Sequence, residues 1–174
     1  AYEIVSRDWS SDVCSSDLHT GLKLWMVGNN TLPKAFTNDL PGEAWASPAV
    51  PKPRLLELYR AASVLVLPTL AEGFAYVVLE AMAAGLPIIT TRNSGCGSFV
   101  QDGVNGWLVP AGNAAALADR LQWCADNAAR LPAMGEASRA RAARWTWDDF
   151  VQTHNRLIIE FVGSGRNGAK EHHA

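Results

Sequence analysis

The chain has 174 residues, of which 48% are hydrophobic and 18% are charged, and its formal net charge is −2. This is the balance of an ordinary globular protein, and it gives no electrostatic basis for binding nucleic acid or a membrane surface. No apolar run approaches the ~18 residues that a membrane-spanning helix needs. The three cysteines, Cys14, Cys96 and Cys124, have neither metal-ligand spacing nor a disulfide framework, which favours a reducing compartment.

The first 18 residues differ from the rest of the chain. Their sequence, AYEIVSRDWSSDVCSSDL, resembles the translation of an indexed sequencing adapter. We therefore interpret residues 1–18 as a non-native leader and exclude them from the fold prediction. On this interpretation the natural protein extends upstream of His19. A genuine polar, disordered leader is the alternative.

Short apolar runs that end at turn residues predict two buried strands in the next part of the chain, Leu22–Val27 and Val64–Leu67. Between them lies a region with several prolines, in which we expect loop, a short helix and a poor strand near Trp45–Val50. Arg54–Ala62 follows with apolar residues at helical spacing.

The segment Glu72–Pro87, EGFAYVVLEAMAAGLP, combines two carboxylates with an apolar helix. The helix is predicted over Phe74–Ala84, with Gly85 at its C-cap. Because it is hydrophobic nearly all round, it is predicted to be buried. Glu80 within it needs a partner, either a ligand hydroxyl or an arginine, or must reach solvent. The backbone amides that follow Glu72 lack helical acceptors and form a natural seat for an anion.

The alternation of strands and helices continues beyond this segment. Ile88–Thr91 is a predicted strand, and Trp107–Val109 is a short strand between glycine turns. Asn113 is predicted to cap a helix whose apolar stripe ends at Cys124. Cys124 is therefore assigned to the core, and Cys96 is interpreted as an unreactive loop thiol.

A last helix is predicted to begin at Thr146 and to carry an apolar stripe as far as Phe161. His154 lies on this stripe and is interpreted as a packed side chain. Residues 162–174 are polar and are predicted to be a disordered tail. Three arginines upstream are interpreted as an exposed helix face: Arg139, Arg141 and Arg144.

Together these elements predict an α/β fold, a Rossmann-like doubly wound parallel sheet with helices on both faces. In such sheets ligands bind beyond the carboxyl ends of the strands, where the strand order reverses. The loops Pro68–Gly73 and Arg92–Gly97 follow two strand ends, so we expect a ligand site there. Gly95 is either a turn residue or part of that site. The strand at Leu22–Val27 is followed by Gly-Asn-Asn, which argues against an NAD fingerprint.

Residues 19–161 resemble the donor-binding, C-terminal half of retaining nucleotide-sugar glycosyltransferases with the GT-B fold. The motifs that carry the resemblance are EGF, LEAMAAG, DGVNGWLVPAG and TWDDF. The resemblance implies transfer of a glycosyl group from a nucleoside-diphosphate sugar to an acceptor hydroxyl, with the anomeric configuration retained. It implies that Glu72 is the catalytic-site carboxylate facing the donor sugar, and that Glu80 accepts the two ribose hydroxyls.

The resemblance assigns the remaining donor contacts to five residues: Gly73, Phe74, Ala75, Leu79 and Gly95. Of these, Leu79 would pack under the nucleotide. No metal and no cofactor other than the donor are expected. The resemblance also implies that the acceptor is a glycan or lipid-linked glycan, which an N-terminal domain binds, and that nucleic acid is not a partner. It further implies a cytoplasmic enzyme, and it leaves open whether the full-length protein associates peripherally with a membrane.

The chain departs from the family pattern at several positions. The family carries an Arg and a Lys upstream of the strand at Leu22, and residues 19–21 cannot supply them. We therefore expect a fragment that binds the donor weakly and does not turn it over alone. Ala75 and Pro48 replace common glycines, and Ser98 replaces a frequent acid. A nucleotide-sugar epimerase of related fold and a non-catalytic donor-binding or interaction domain are the alternatives.

Overall fold

A computed structural model of the chain describes residues 3–4, 24–28, 44–146, 148, 151–152, 155–156, 158–159 and 161. The chain divides into two units, Ala1–Ala142 and Ala143–Ala174. The loop and short helix predicted after Asn30, the residue His154 and the tail predicted over 162–174 lie outside the described residues.

Six parallel strands form the sheet of the first unit. They are β1 (Glu3–Ile4), β2 (Leu24–Val27), β3 (Ala44–Ser47), β4 (Leu65–Leu67), β5 (Ile88–Thr91) and β6 (Gly106–Val109). Their order is β3-β2-β1-β4-β5-β6. The chain therefore runs outward from β1 on one side and outward from β4 on the other, and the order reverses between β1 and β4. This arrangement confirms the predicted fold class and places the ligand crevice of such sheets at that reversal.

The strand β1 lies within the segment interpreted as a non-native leader. Ile4 pairs with Met26 of β2 and with Val66 of β4. This strand was not predicted, because the fold prediction began at His19. The non-native origin of residues 1–18 stays a prediction.

Helices cover both faces of the sheet. They are α1 (Lys52–Ala61), α2 (Tyr76–Ala84), α3 (Ala114–Asp126) and α4 (Leu131–Ala142). Successive strand residues point to opposite faces. Val66 and Ile89 accordingly pack in one apolar cluster with α3 and the start of α4, whereas Leu65 and Ile88 pack in a second cluster with α1 and α2.

The helix ends follow local sequence signals. Asn113 caps α3, because its side chain accepts a hydrogen bond from the amide of Ala116 at 2.9 Å. Gly85 ends α2 in the left-handed conformation, with φ of 88°. Both caps were predicted. The start of α2 was placed two residues too early, because Ala75 has non-helical φ and ψ angles of −86° and 90°.

The helix α4 contributes more than the exposed arginine face that was predicted. Leu131 and Met134 are buried in the core. The arginines also contact other segments: Arg139 donates from Nη2 to the carbonyl oxygen of Ala84 at 3.1 Å, and Arg141 donates to that of Ser98 at 3.0 Å. Arg139 is exposed, as predicted, and Arg141 is half-buried. Their hydrogen-bond partners were not predicted, since these are distant in sequence.

In the second unit, the described residues at 148, 151–152, 155–156, 158–159 and 161 are helical, which agrees with the predicted last helix. Thr146 precedes it in a non-helical conformation, as a capping residue would. No helix within the described parts of the chain is long and apolar enough to cross a membrane.

Candidate functional site

Two loops that follow β4 and β5 are joined by backbone hydrogen bonds at the position of Glu72. The Glu72 amide donates to the carbonyl of Asn93 at 3.2 Å, and the Glu72 carbonyl accepts from the amide of Gly95 at 3.0 Å. The side chain of Asn93 donates to the carbonyl of Leu70 at 2.8 Å. The predicted site loops are thus adjacent, and the backbone of Glu72 is fixed on both sides.

Gly95 has a packing role that the sequence did not reveal. A Cβ at this position would overlap with the carbonyl oxygen of Gly73. A side chain at position 95 would therefore push the two loops apart. Gly73 itself has open space around its missing side chain, with no atom within 4 Å of a Cβ built there. Its exposed backbone is accessible from outside the protein.

The helix α2 begins beside Glu72 without a side-chain cap. Ala75 is its N-cap residue and offers no hydrogen bond to the first turn, which also contains no acidic residue. The amides at this end lack partners from a capping side chain, and the helix dipole favours negative charge here. The anion seat at this helix end stays a prediction.

A cleft of about 320 Å³ opens next to Glu72. Its walls come from the ends of β2 and β4, the segment after β3, α1 and the start of α2. They consist of Val27, Gly28, Ala49, Val50, Leu55, Leu67, Glu72, Phe74, Ala75, Tyr76 and Val77. The cleft lies beyond the carboxyl ends of β2 and β4, near the reversal of strand order. Most of the lining is apolar, with Glu72 as the one carboxylate among these residues.

Aromatic rings connect this cleft to the core. The Phe74 ring packs edge-on against Tyr76, with centroids 5.0 Å apart, and against Phe99 at 6.1 Å. Phe99 is buried, whereas Tyr76 is 57% exposed at the cleft. The ring of Phe74 therefore anchors the start of α2.

Glu80 lies outside the cleft lined by Glu72. Its side chain is 28% exposed, and its Oε1 atom lies 3.0 Å from Nζ of Lys52 on α1. It borders a separate depression of about 400 Å³ between α1, α2 and α4. The partner that a carboxylate on an apolar helix needs is present as a lysine, where the sequence left a ligand hydroxyl, an arginine or solvent as alternatives. No spacing rule connects two residues on different helices, so the sequence could not identify Lys52.

Leu79 packs against the apolar cluster between α1, α2 and the sheet, and it is absent from the cleft lining. Of the predicted site residues, the structure thus brings Glu72, Phe74 and Ala75 to the cleft and Gly73 and Gly95 to its adjoining loop. It leaves Leu79 and Glu80 on the neighbouring turn of α2.

Cys96 is buried beneath this site. Its thiol donates to the carbonyl of Ala75 at 3.2 Å. Burial raises the pKa of the Cys96 thiol, and the Glu72 carboxylate raises it further. The thiol is therefore held protonated, which agrees with the predicted unreactive residue. In the described part of the chain, no three His, Cys, Asp or Glu side chains come together as a metal site.

The family model described as "Glycosyl transferases group 1" matches residues 2–127. This match begins within the segment interpreted as a leader. D-inositol 3-phosphate glycosyltransferase from Streptomyces coelicolor is 36% identical over 126 residues, which are 72% of this chain and 28% of that protein. The enzyme of the same name from Kribbella flavida is 38% identical over 104 residues, covering 60% and 24%. The chain thus spans less than a third of the length of these curated relatives.

Solved structures with similar folds include sucrose-phosphate synthase from Thermosynechococcus elongatus, with a TM-score of 0.74 and 22% identity over 94% of this chain and 46% of that one. HepE from Anabaena in complex with UDP-glucose has a TM-score of 0.68 and 18% identity, covering 94% and 49%. These similarities agree with the GT-B type of Rossmann-like domain and bear on the fold alone.

Proposed function

Because the chain belongs to the group 1 glycosyl transferase family, we propose that its cleft binds the nucleoside-diphosphate sugar that donates the glycosyl group. One observation carries this proposal: the cleft lies beyond the carboxyl ends of β2 and β4 and is bounded by Glu72 and the start of α2. Rossmann-like sheets bind nucleotides at this place. The UDP-glucose complex of the structural neighbour HepE supports the same class of donor.

In this proposal, each predicted residue has a chemical task. The Glu72 carboxylate accepts hydrogen bonds from hydroxyls of the donor sugar. The amides at the start of α2, after Ala75, face the diphosphate, where the helix dipole favours negative charge. The open side of Gly73 lets the donor approach the backbone. Glu80, one turn further along α2, accepts the ribose hydroxyls.

The proposed reaction is glycosyl transfer with retained anomeric configuration. The bond between the anomeric carbon and the diphosphate oxygen breaks, and the acceptor hydroxyl oxygen bonds to the same face of the sugar. The hydroxyl proton passes to the leaving diphosphate. Charge develops on both the sugar ring and the leaving group, so fixed charges and dipoles at the site lower the barrier. No metal is required in this scheme.

The activity of the longer enzyme needs more than the described cleft. We propose that a glycan or lipid-linked glycan is the acceptor and that another domain of a longer, cytoplasmic enzyme binds it. The 174-residue chain then binds the donor weakly and does not turn it over. Glycosyl transfer by this chain alone would contradict that part of the proposal.

Calorimetric titration tests donor binding. UDP, GDP and ADP, and the glucose conjugate of each, are titrated into the wild type, Glu72→Gln and Glu80→Gln. Glu72→Gln removes a contact with the sugar, so it should weaken binding of the nucleotide sugar more than binding of the free nucleotide. Glu80→Gln removes a contact with the ribose, so it should weaken binding of both ligands. Glu57→Gln is the matched control, since Glu57 is an exposed carboxylate paired with Arg54 on α1. Equal affinities for all four proteins would refute the proposed site.

A further inference from the structure

The ion pair between Lys52 and Glu80 joins the start of α1 to α2. Lys52 is the first residue of α1 and follows Ala49 and Val50, which line the cleft. Glu80 follows Val77, another lining residue, by three positions, so the two lie on the same side of α2. The pair is therefore close along the chain to residues of the cleft lining, and Glu80 itself borders the depression between the helices.

Helix electrostatics do not favour Lys52 where it stands. A cation at the start of a helix opposes the helix dipole, and the first turn of α1 contains no acidic residue to offset it. The Lys52 side chain is 70% exposed, and exposed ion pairs add little to stability. A lysine at position 52 thus adds little to the stability of the fold. Its direct contact is with Glu80.

The contact restricts the carboxylate of Glu80. An ionised carboxylate has two oxygens and about four acceptor positions. Nζ of Lys52 lies 3.0 Å from Oε1, which limits the orientations of the carboxylate, and this ion pair does not involve Oε2. Two vicinal hydroxyls need an acceptor of fixed orientation, because both hydrogen bonds must form together.

We propose that Lys52 is a positioning residue that orients the Glu80 carboxylate toward the vicinal hydroxyls of the donor's ribose. The inference rests on the proposed function. Lys52 acts through Glu80 and makes no required contact with the nucleotide. The pair consequently gives the site its preference for a ribonucleotide over a 2′-deoxyribonucleotide.

The test uses the full chain and the nucleoside diphosphate among UDP, GDP and ADP that binds the wild type most tightly, together with its 2′-deoxy form. Lys52→Met should lower affinity for the ribonucleotide about 5-fold, a coupling of ordinary size, and lower it clearly less for the deoxy form, which keeps only the 3′-hydroxyl. Lys52→Arg should restore most of the ribonucleotide affinity. In the Glu80→Gln background, Lys52→Met should cause no further loss.

Arg54→Met is the matched control, because Arg54 forms an exposed ion pair on the same helix turn and does not contact Glu80. Thermal melting of each variant identifies any that fails to fold. If Glu80→Gln weakens binding but Lys52→Met does not, or if Lys52→Met weakens both nucleotides equally, the positioning role is overturned and donor binding stands. If the wild type binds no nucleotide, both proposals fail.

Discussion

The backbone of Gly95 lies against the carbonyl oxygen of Gly73, so closely that a Cβ at position 95 would overlap with that oxygen. A hydrogen bond from the Gly95 amide to the Glu72 carbonyl joins the same two loops. The two loops at the ends of β4 and β5 are thus fixed to each other beside the only carboxylate among the residues that line the described cleft. The position of Glu72 depends on a missing side chain 23 residues away in sequence.

We therefore expect Gly95→Ala to destabilise the protein by about 1–3 kcal/mol, the usual cost of adding atoms to a packed contact. The loops must separate to admit the methyl group, so donor binding should weaken as well. Urea unfolding measures the first effect and calorimetric titration the second. A variant with wild-type unfolding would mean that the loops move apart at little cost.

Gly73→Ala serves as a matched comparison, because it should weaken donor binding without the loss of stability. No atom lies within 4 Å of a Cβ at this position, and Gly73 is not among the glycines with positive φ. The free energy of unfolding should therefore stay within about 0.5 kcal/mol of the wild type. If the donor approaches the Gly73 backbone, its affinity should still fall about 10-fold. Undiminished affinity in a stable Gly73→Ala protein would argue against that approach.

Arg139 offers a third test, on the contact between α4 and the end of α2. Its guanidinium donates to the carbonyls of Ala83 and Ala84, at 3.3 and 3.1 Å. Because these carbonyls are at the helix C-terminus, a cation there also interacts favourably with the dipole. We expect Arg139→Met to cost about 1 kcal/mol in urea unfolding. Arg54→Met, which loses only an exposed pair, should change the midpoint far less.

The elements that the sequence predicted correctly are those with local signals. β4 and β5 are short apolar runs, Asn113 is a capping side chain, and Gly85 takes a left-handed conformation that glycine adopts at low cost. Each of these signals lies within a few residues of the structure that it predicts. The parallel sheet follows from the alternation of such elements.

The contacts that were not predicted join segments that are distant in sequence. Lys52 meets Glu80 only because α1 and α2 lie side by side on one face of the sheet. The same holds for Gly85, whose carbonyl oxygen leaves no room for a side chain at Gly135 of α4. Such pairs have no fixed spacing, so composition and periodicity contain no signal for them. Residues that line the cleft, Glu72, Phe74 and Ala75, could thus be selected from the sequence, but the contact partners of the predicted site residues could not.

Alkaline titration provides a last test, through the buried thiol of Cys124. Burial raises its pKa from 9.0 to about 12, although Arg120 acts in the opposite direction. Below pH 9 the thiol is protonated in both states, and above it the unfolded chain loses the proton first. Stability must therefore fall as pH rises from 9 toward 12, by about 1.4 kcal/mol per pH unit for this group.

Urea unfolding of the wild type and of Cys124→Ala at several pH values isolates the effect, because all other groups titrate in both proteins. The stability difference between them should narrow by about 2 kcal/mol between pH 9 and about pH 10.5. Parallel curves would mean that the thiol is reached by solvent in the folded protein.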